Sequence, residues 1–173
     1  MSLIILEGPD GAGKSTLITR LAKDFGFPVY RSGGPKDADN MKRVVQEMAM
    51  LALDDSIVYL CDRTPWVSEL IYSKALGRDP VMPMGFFKPC FSLPQRIIYC
   101  NLNDSVSMLS NMSREFKAHK PAEHTALVVK NYQQVCDQYD DLMDEMEASG
   151  MDIFGYDWMN GSYYDLTKWI VGE

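Results

Sequence analysis

Near its start the chain reads Gly8-Pro9-Asp10-Gly11-Ala12-Gly13-Lys14-Ser15, and no other stretch limits the possible folds as sharply. Before it lies the short apolar run Leu3-Ile4-Ile5-Leu6, the pattern of a strand buried on both faces. After it, Leu17, Ile18, Leu21 and Ala22 recur at helical spacing from Lys14 to about Phe25, and Gly26 follows as a stop. Strand, glycine-rich turn and helix in that order are the context in which the spacing GxxxxGK[ST] becomes specific. A turn that only joined strand to helix would need neither a lysine nor a hydroxyl at those two offsets.

The chemistry of the turn follows from its backbone. Glycines let it curl so that successive N–H groups point inward at an anion, and the following helix adds the positive end of its dipole. Asp10, Gly11, Ala12, Gly13, Lys14, Ser15 and Thr16 are therefore the expected cradle for the phosphates of a nucleotide, with Lys14 reaching the terminal ones. The Ser15 hydroxyl is the expected protein ligand of Mg²⁺, an ion that keeps several waters and bridges phosphate oxygens. ATP and Mg²⁺ are the cofactors this implies. The cradle alone does not separate kinases from GTPases, ATPases or switches.

The rest of the chain alternates. Short strands are expected over 28–31, 57–61, 96–102 and 151–156, and helices over about 39–53, 66–76, from near Asp104, 123–149 and 163–171. Residues 77–94, rich in proline and without a clear period, read as an irregular loop. Such alternation specifies an α/β domain with a parallel sheet covered by helices on both faces, and 173 residues fit one domain, 1–173. A formal charge of -7 repels a polyanion, so long nucleic acid is not an expected partner. No apolar run approaches the roughly 20 residues of a membrane span. Strand-like sequence directly after Met1-Ser2 leaves no room for a signal peptide, so a cytoplasmic location is expected. Cys61, Cys90, Cys100 and Cys136 form no CxxC pair and read as reduced core thiols, and His119 and His124 as surface residues rather than metal ligands.

Glu7 through Thr16 resembles the opening of the thymidylate kinase family, whose members carry an acidic residue where Asp10 stands. Asp62-Arg63, closing the third strand, resembles that family's Asp-Arg motif, and Ser68-Glu69-Leu70-Ile71-Tyr72 the Ser-x-x-x-aromatic segment after it. The resemblance implies a three-layer P-loop kinase-like fold, with five parallel strands in the order 2-3-1-4-5 and a lid over about 114–124. It implies ATP-dependent phosphorylation of a deoxynucleoside monophosphate, with dTMP or a modified pyrimidine analogue as the leading acceptor. Arg63 would hold the acceptor phosphate, for which a guanidinium fork is suited. Asp62 would order either a magnesium-bound water or that phosphate, Asp10 would accept from the sugar 3′-hydroxyl, and Tyr72 would fill the place of a 2′-hydroxyl. Arg31 would lie near the acceptor phosphate. Where some members carry an arginine inside the loop this chain has Gly11, so the lid supplies the charge, with Arg114 as the expected catalytic cation beside Lys14 and with Lys117 and Lys120 behind it. A small nucleotide is the expected partner, and a homodimer is common in the family.

One departure bears on the base. The family usually places two helices between its second strand and the Asp-Arg motif, and here only about thirty residues separate Arg31 from Asp62, enough for one. The usual platform for thymine is then missing, and Phe86, Phe87 and Phe91 in the irregular loop are candidates to replace it. The adenine of ATP is expected near Asp157 to Gly161. Two other activities stay open: a kinase acting on a nucleoside or polynucleotide hydroxyl, with Asp62 as general base, and a switch in which nucleotide hydrolysis changes affinity for a protein.

Overall fold

The computed structural model describes residues 3–33, 37–101 and 122–173. Its strands are β1 (Leu3–Glu7), β2 (Val29–Arg31), β3 (Tyr59–Asp62), β4 (Gln95–Cys100) and β5 (Ile153–Tyr156). They pair in parallel as β2-β3-β1-β4-β5, the order the resemblance implies. All five residues of β1 are buried, because the strand sits mid-sheet with helices on both faces, and this is why it reads as an unbroken apolar run. β2, at the edge, is only partly buried.

Seven helices are found among the described residues: α1 (Lys14–Phe25), α2 (Ala38–Leu53), α3 (Pro65–Ala75), α4 (Met84–Phe87), α5 (Ala122–Lys130), α6 (Tyr132–Ala148) and α7 (Tyr163–Val171). One group is formed by α2, α3 and α6, with α2 and α6 both packed on α3. Tyr72 of α3 meets Tyr139 of α6 edge-on at 6.4 Å between ring centroids. Another group joins α1 to α7, where Tyr163 donates to Asp24 and Arg20 lies over the Tyr163 ring. One helix, α2, fills the span between β2 and β3, as the count of residues requires.

Two segments differ from the sequence reading. The irregular stretch 77–94 contains α4 and a 3₁₀ turn at Lys88–Ser92, held down by fully buried Phe87 and by Gln95 Nε2 donating to the Cys90 carbonyl at 3.0 Å. Short apolar contacts of this kind leave no period to read. The long helix expected over 123–149 is two, α5 and α6, parted at Asn131, whose side-chain amide donates to the Leu127 carbonyl at 2.9 Å. An asparagine bonding back to the preceding turn competes with the helix ladder, yet Val128, Tyr132, Val135 and Tyr139 stay on one buried stripe. All four cysteines are free and buried, as expected. No helix of the described residues is long and apolar enough to cross a membrane. The helix expected near Asp104 and the basic segment with Arg114, Lys117, His119 and Lys120 lie outside the described residues.

Candidate functional site

β1 ends at the centre of the sheet, and the chain turns there into the glycine loop. Gly8 sits at φ 138°, and a Cβ on it would lie 2.1 Å from the Cys100 carbonyl oxygen, so the loop leaves β1 in direct contact with the end of β4. Gly13, the residue before α1, has φ 80°, and a Cβ there would strike the Trp158 indole at 2.8 Å. The turn after β5 is thereby laid against the phosphate loop. Asp157 organises that turn, its Oδ1 accepting from the Met159 amide at 2.8 Å.

Lys14 is buried, and its Nζ donates to the carbonyls of Gly8 at 2.8 Å and Pro9 at 2.6 Å. Burial, assisted by the Arg63 charge, lowers its pKa to about 8. Asp10, Gly11, Gly13, Lys14 and Ser15 line one end of a cavity of about 470 Å³. Ala12 is buried behind the loop and Thr16 is exposed, and neither lines the cavity.

The wall opposite is built by β2, β3 and α3. Parallel register sets Arg31 beside Asp62, and Arg31 Nε lies 3.7 Å from Asp62 Oδ2. The next residue, Arg63, has φ 65°, a conformation costly for a residue with a side chain. Three bonds hold it: the Arg63 amide donates to the Leu6 carbonyl at 3.1 Å, and Thr64 donates to Glu7 Oε1 from its amide at 2.7 Å and its hydroxyl at 2.8 Å. Glu7 is wholly buried, and desolvation raises its pKa to about 7 against the pull of Thr64 and Arg63. Its other oxygen, and Arg63 Nε, have no hydrogen-bond partner among the described residues.

With its backbone so placed, Arg63 returns its guanidinium to the loop. Nη2 donates to Asp10 Oδ1 at 2.8 Å and to the Gly8 carbonyl at 3.1 Å. Asp10 also accepts from the Tyr72 hydroxyl at 3.2 Å, and its carbonyl accepts from the Tyr132 hydroxyl at 2.7 Å. Asp10, Lys14, Ser15, Arg31, Asp62, Arg63 and Tyr72 therefore share one cavity.

Four functional candidates were not singled out by sequence reasoning. Glu7 and Thr64 form the mount of Arg63, and Glu69 and Arg78, paired with each other, are part of the cavity lining. An acid ending an otherwise apolar strand was a readable signal for Glu7. Arg78, in a proline-rich stretch, offered none. The aromatic candidates fall away: Phe87 is in the core, Phe86 and Phe91 pack against it, and none of the three lines the cavity. Among the described residues no cluster of three or more His, Cys, Asp or Glu could hold a metal by itself. One exposed hydroxyl, Ser15, and one nearby carboxylate, Asp62, suit an ion that arrives on phosphates.

Comparison with known proteins agrees with this architecture. No family model matches the chain. It is 26% identical over 110 residues to YorR, an SPbeta prophage-derived uncharacterized protein of Bacillus subtilis, across 61% of this chain and 65% of YorR. It is 33% identical over 89 residues to the thymidylate kinase of Lactobacillus delbrueckii subsp. bulgaricus, across 46% of this chain and 42% of that enzyme. Both matches thus span less than two thirds of the relatives' own lengths. Among solved structures, YorR in complex with phosphorylated GDP superposes with a TM-score of 0.64 at 20% identity, covering 99% of this chain and 94% of YorR. Deoxyadenosine kinase from M. mycoides with products dCMP and dCDP gives 0.62 at 13% identity, covering 98% and 96%. The chain has the fold of P-loop nucleoside and nucleotide kinases.

Proposed function

We propose that the protein transfers the γ-phosphoryl group of ATP to the phosphate of a deoxynucleoside monophosphate, dTMP or a modified pyrimidine analogue, yielding ADP and the diphosphate. One observation supports this above the others: a guanidinium mounted on a fixed backbone, Arg63, faces the phosphate cradle from the opposite wall of a single cavity. An acceptor phosphate bound there has an oxygen directed at the γ-phosphorus. That oxygen forms the new P–O bond as the bond to the β,γ-bridging oxygen breaks, and the electron pair leaves on ADP.

The protein's share is positioning and charge. Lys14 leaves the Gly8 and Pro9 carbonyls for the terminal phosphates, whose charge restores its full protonation. Arg63 turns from Asp10 to the acceptor phosphate, and Asp10 Oδ1 accepts from the sugar 3′-hydroxyl while Tyr72, still donating to Oδ2, packs against the deoxyribose. Arg31 and Asp62, paired with each other, order the phosphate side, and Arg114, outside the described residues, would add charge to the transferred group. Mg²⁺, held by phosphate oxygens, water and the Ser15 hydroxyl, would neutralise the charge on the triphosphate.

ADP release with ATP·Mg²⁺ against ribo- and deoxynucleoside monophosphates, their nucleosides and an acceptor-free control tests the proposal. A rate that rises with one or a few deoxymonophosphates is expected; no dependence on acceptor overturns it in favour of a hydrolytic switch. Arg63→Ala should raise acceptor KM at least about tenfold while ATP KM stays within about twofold, the loss of one charge-assisted contact to phosphate.

A second reading, phosphorylation of a nucleoside hydroxyl, draws on Asp62, a partly exposed carboxylate at the mouth of the cavity that could take the hydroxyl proton. The neighbouring deoxyadenosine kinase has the same fold. Turnover with nucleosides but not with their monophosphates would select it.

A further inference from the structure

Beyond the Arg63–Asp10 pair the cavity runs along one face of α3. Ser68, Tyr72 and Leu76 follow at intervals of four residues, so they line that face in steps of ~6 Å. Glu69, beside Ser68 on α3, and Arg78, three residues past the helix, line the same cavity. Their pairing is bidentate, Nη1 to Oε1 at 2.6 Å and Nη2 to Oε2 at 3.0 Å. The Val81 amide donates to the same Oε1 at 2.7 Å, and Arg78 Nη1 donates also to the Asp79 carbonyl at 3.1 Å. The guanidinium is thus locked in place, with little rotamer freedom left to lose on meeting a ligand.

Exposure decides which partner a ligand meets. The Glu69 side chain is 6% exposed and that of Arg78 40%. Nη1 donates twice and Nη2 once, which leaves the second Nη2 hydrogen and Nε–H without an acceptor among the described residues. Glu69 neutralises the cation, so this end of the cavity is a poor second phosphate site. It presents hydrogen-bond donors with no acceptor on the same edge, and such an edge meets a carbonyl oxygen well and an amino group badly.

We propose that the Arg78–Glu69 pair reads the base of the acceptor, selecting bases that carry a carbonyl oxygen at the outer edge over those that carry an amino group there. Thymine, uracil and guanine, with 5-substituted uracils, fall in the first class; adenine and cytosine fall in the second. This rests on the monophosphate-acceptor reading, which puts the phosphate at Arg63 and so sends the base toward Arg78. Among the described residues α2 is the one helix between β2 and β3, and on this reading the Arg78–Glu69 pair takes over the recognition of the base.

Two measurements decide it. The first compares kcat/KM for dTMP, dUMP and dGMP with that for dAMP and dCMP; the second compares their equilibrium binding without ATP. The expected result is that the best acceptor and the tightest ligand bear a carbonyl, with both amino bases at least about tenfold worse, the usual scale for a misplaced hydrogen-bonding group. An amino base equal to or better than the best carbonyl base overturns the assignment. Selective binding without turnover keeps the base assignment and removes the monophosphate kinase reading, and turnover without selectivity does the reverse. Arg78→Gln, whose amide both donates and accepts, should cut the discrimination to about threefold or less, and the double variant with Glu69→Gln, which leaves no buried charge unpaired, should do the same. Discrimination retained in a folded double variant overturns the proposal.

Discussion

At the scale of single residues the site is held by a buried acid. Glu7 accepts both Thr64 donors on one oxygen, and the other, at full burial, has no partner among the described residues. Desolvation therefore raises its folded pKa to about 7 from an ordinary 4.5. The folded protein then binds a proton between those values that the unfolded chain releases. The stability this contributes is complete below pH ~4.5 and is lost as pH rises through ~7, on the order of 3 kcal/mol in all. Glu7→Gln keeps an acceptor oxygen for Thr64 without the titration. Urea unfolding of both proteins at pH 5 and pH 8 should show the wild type losing ~2–3 kcal/mol relative to the variant, and parallel pH profiles would remove this account of Glu7.

The element that matters most is α3, because it carries one wall of the cavity and begins immediately after Arg63. Thr64 caps it, its hydroxyl accepting from the Val67 amide at 3.3 Å while donating to Glu7, and Pro65 follows at the first helical position. Thr64→Ala removes both contacts and should cost ~1–2 kcal/mol in thermal or urea unfolding. It should also raise acceptor KM more than ATP KM, since the left-handed Arg63 loses one of its anchors; equal effects on both would show the cap to be structural only. Elements of this kind were legible where periodicity or a stop residue marked them: all five strands and the helices α1, α2, α3 and α7 lie within a few residues of their expected positions. Asn131 was not legible as a break, because an apolar stripe continues in phase across it. Nor was the Arg31–Asp62 pair, which depends on the register of β2 on β3 rather than on either sequence alone.

Across the whole molecule one apolar cluster runs from the sheet through both helix groups and takes in the 84–92 segment by way of Phe87. Phe87→Ala should cost ~3–5 kcal/mol in urea unfolding. With no contribution to the cavity lining, it should leave acceptor KM within about twofold at a temperature where the variant stays folded, and a selective loss of acceptor binding would return this segment to the site. The phosphate end of the site was legible because its chemistry is written in consecutive residues. The Arg78–Glu69 pair was not, since one partner lies on α3 and the other in the loop that follows it. Among the described residues, the four cations lining the cavity are all engaged by the chain itself, Lys14 by two carbonyls and Arg31, Arg63 and Arg78 by carboxylates. A tethered carboxylate acts at an effective concentration of millimolar or more. Stray inorganic phosphate therefore meets a competitor that never diffuses away, and only a ligand with several contacts to offer at once can displace it.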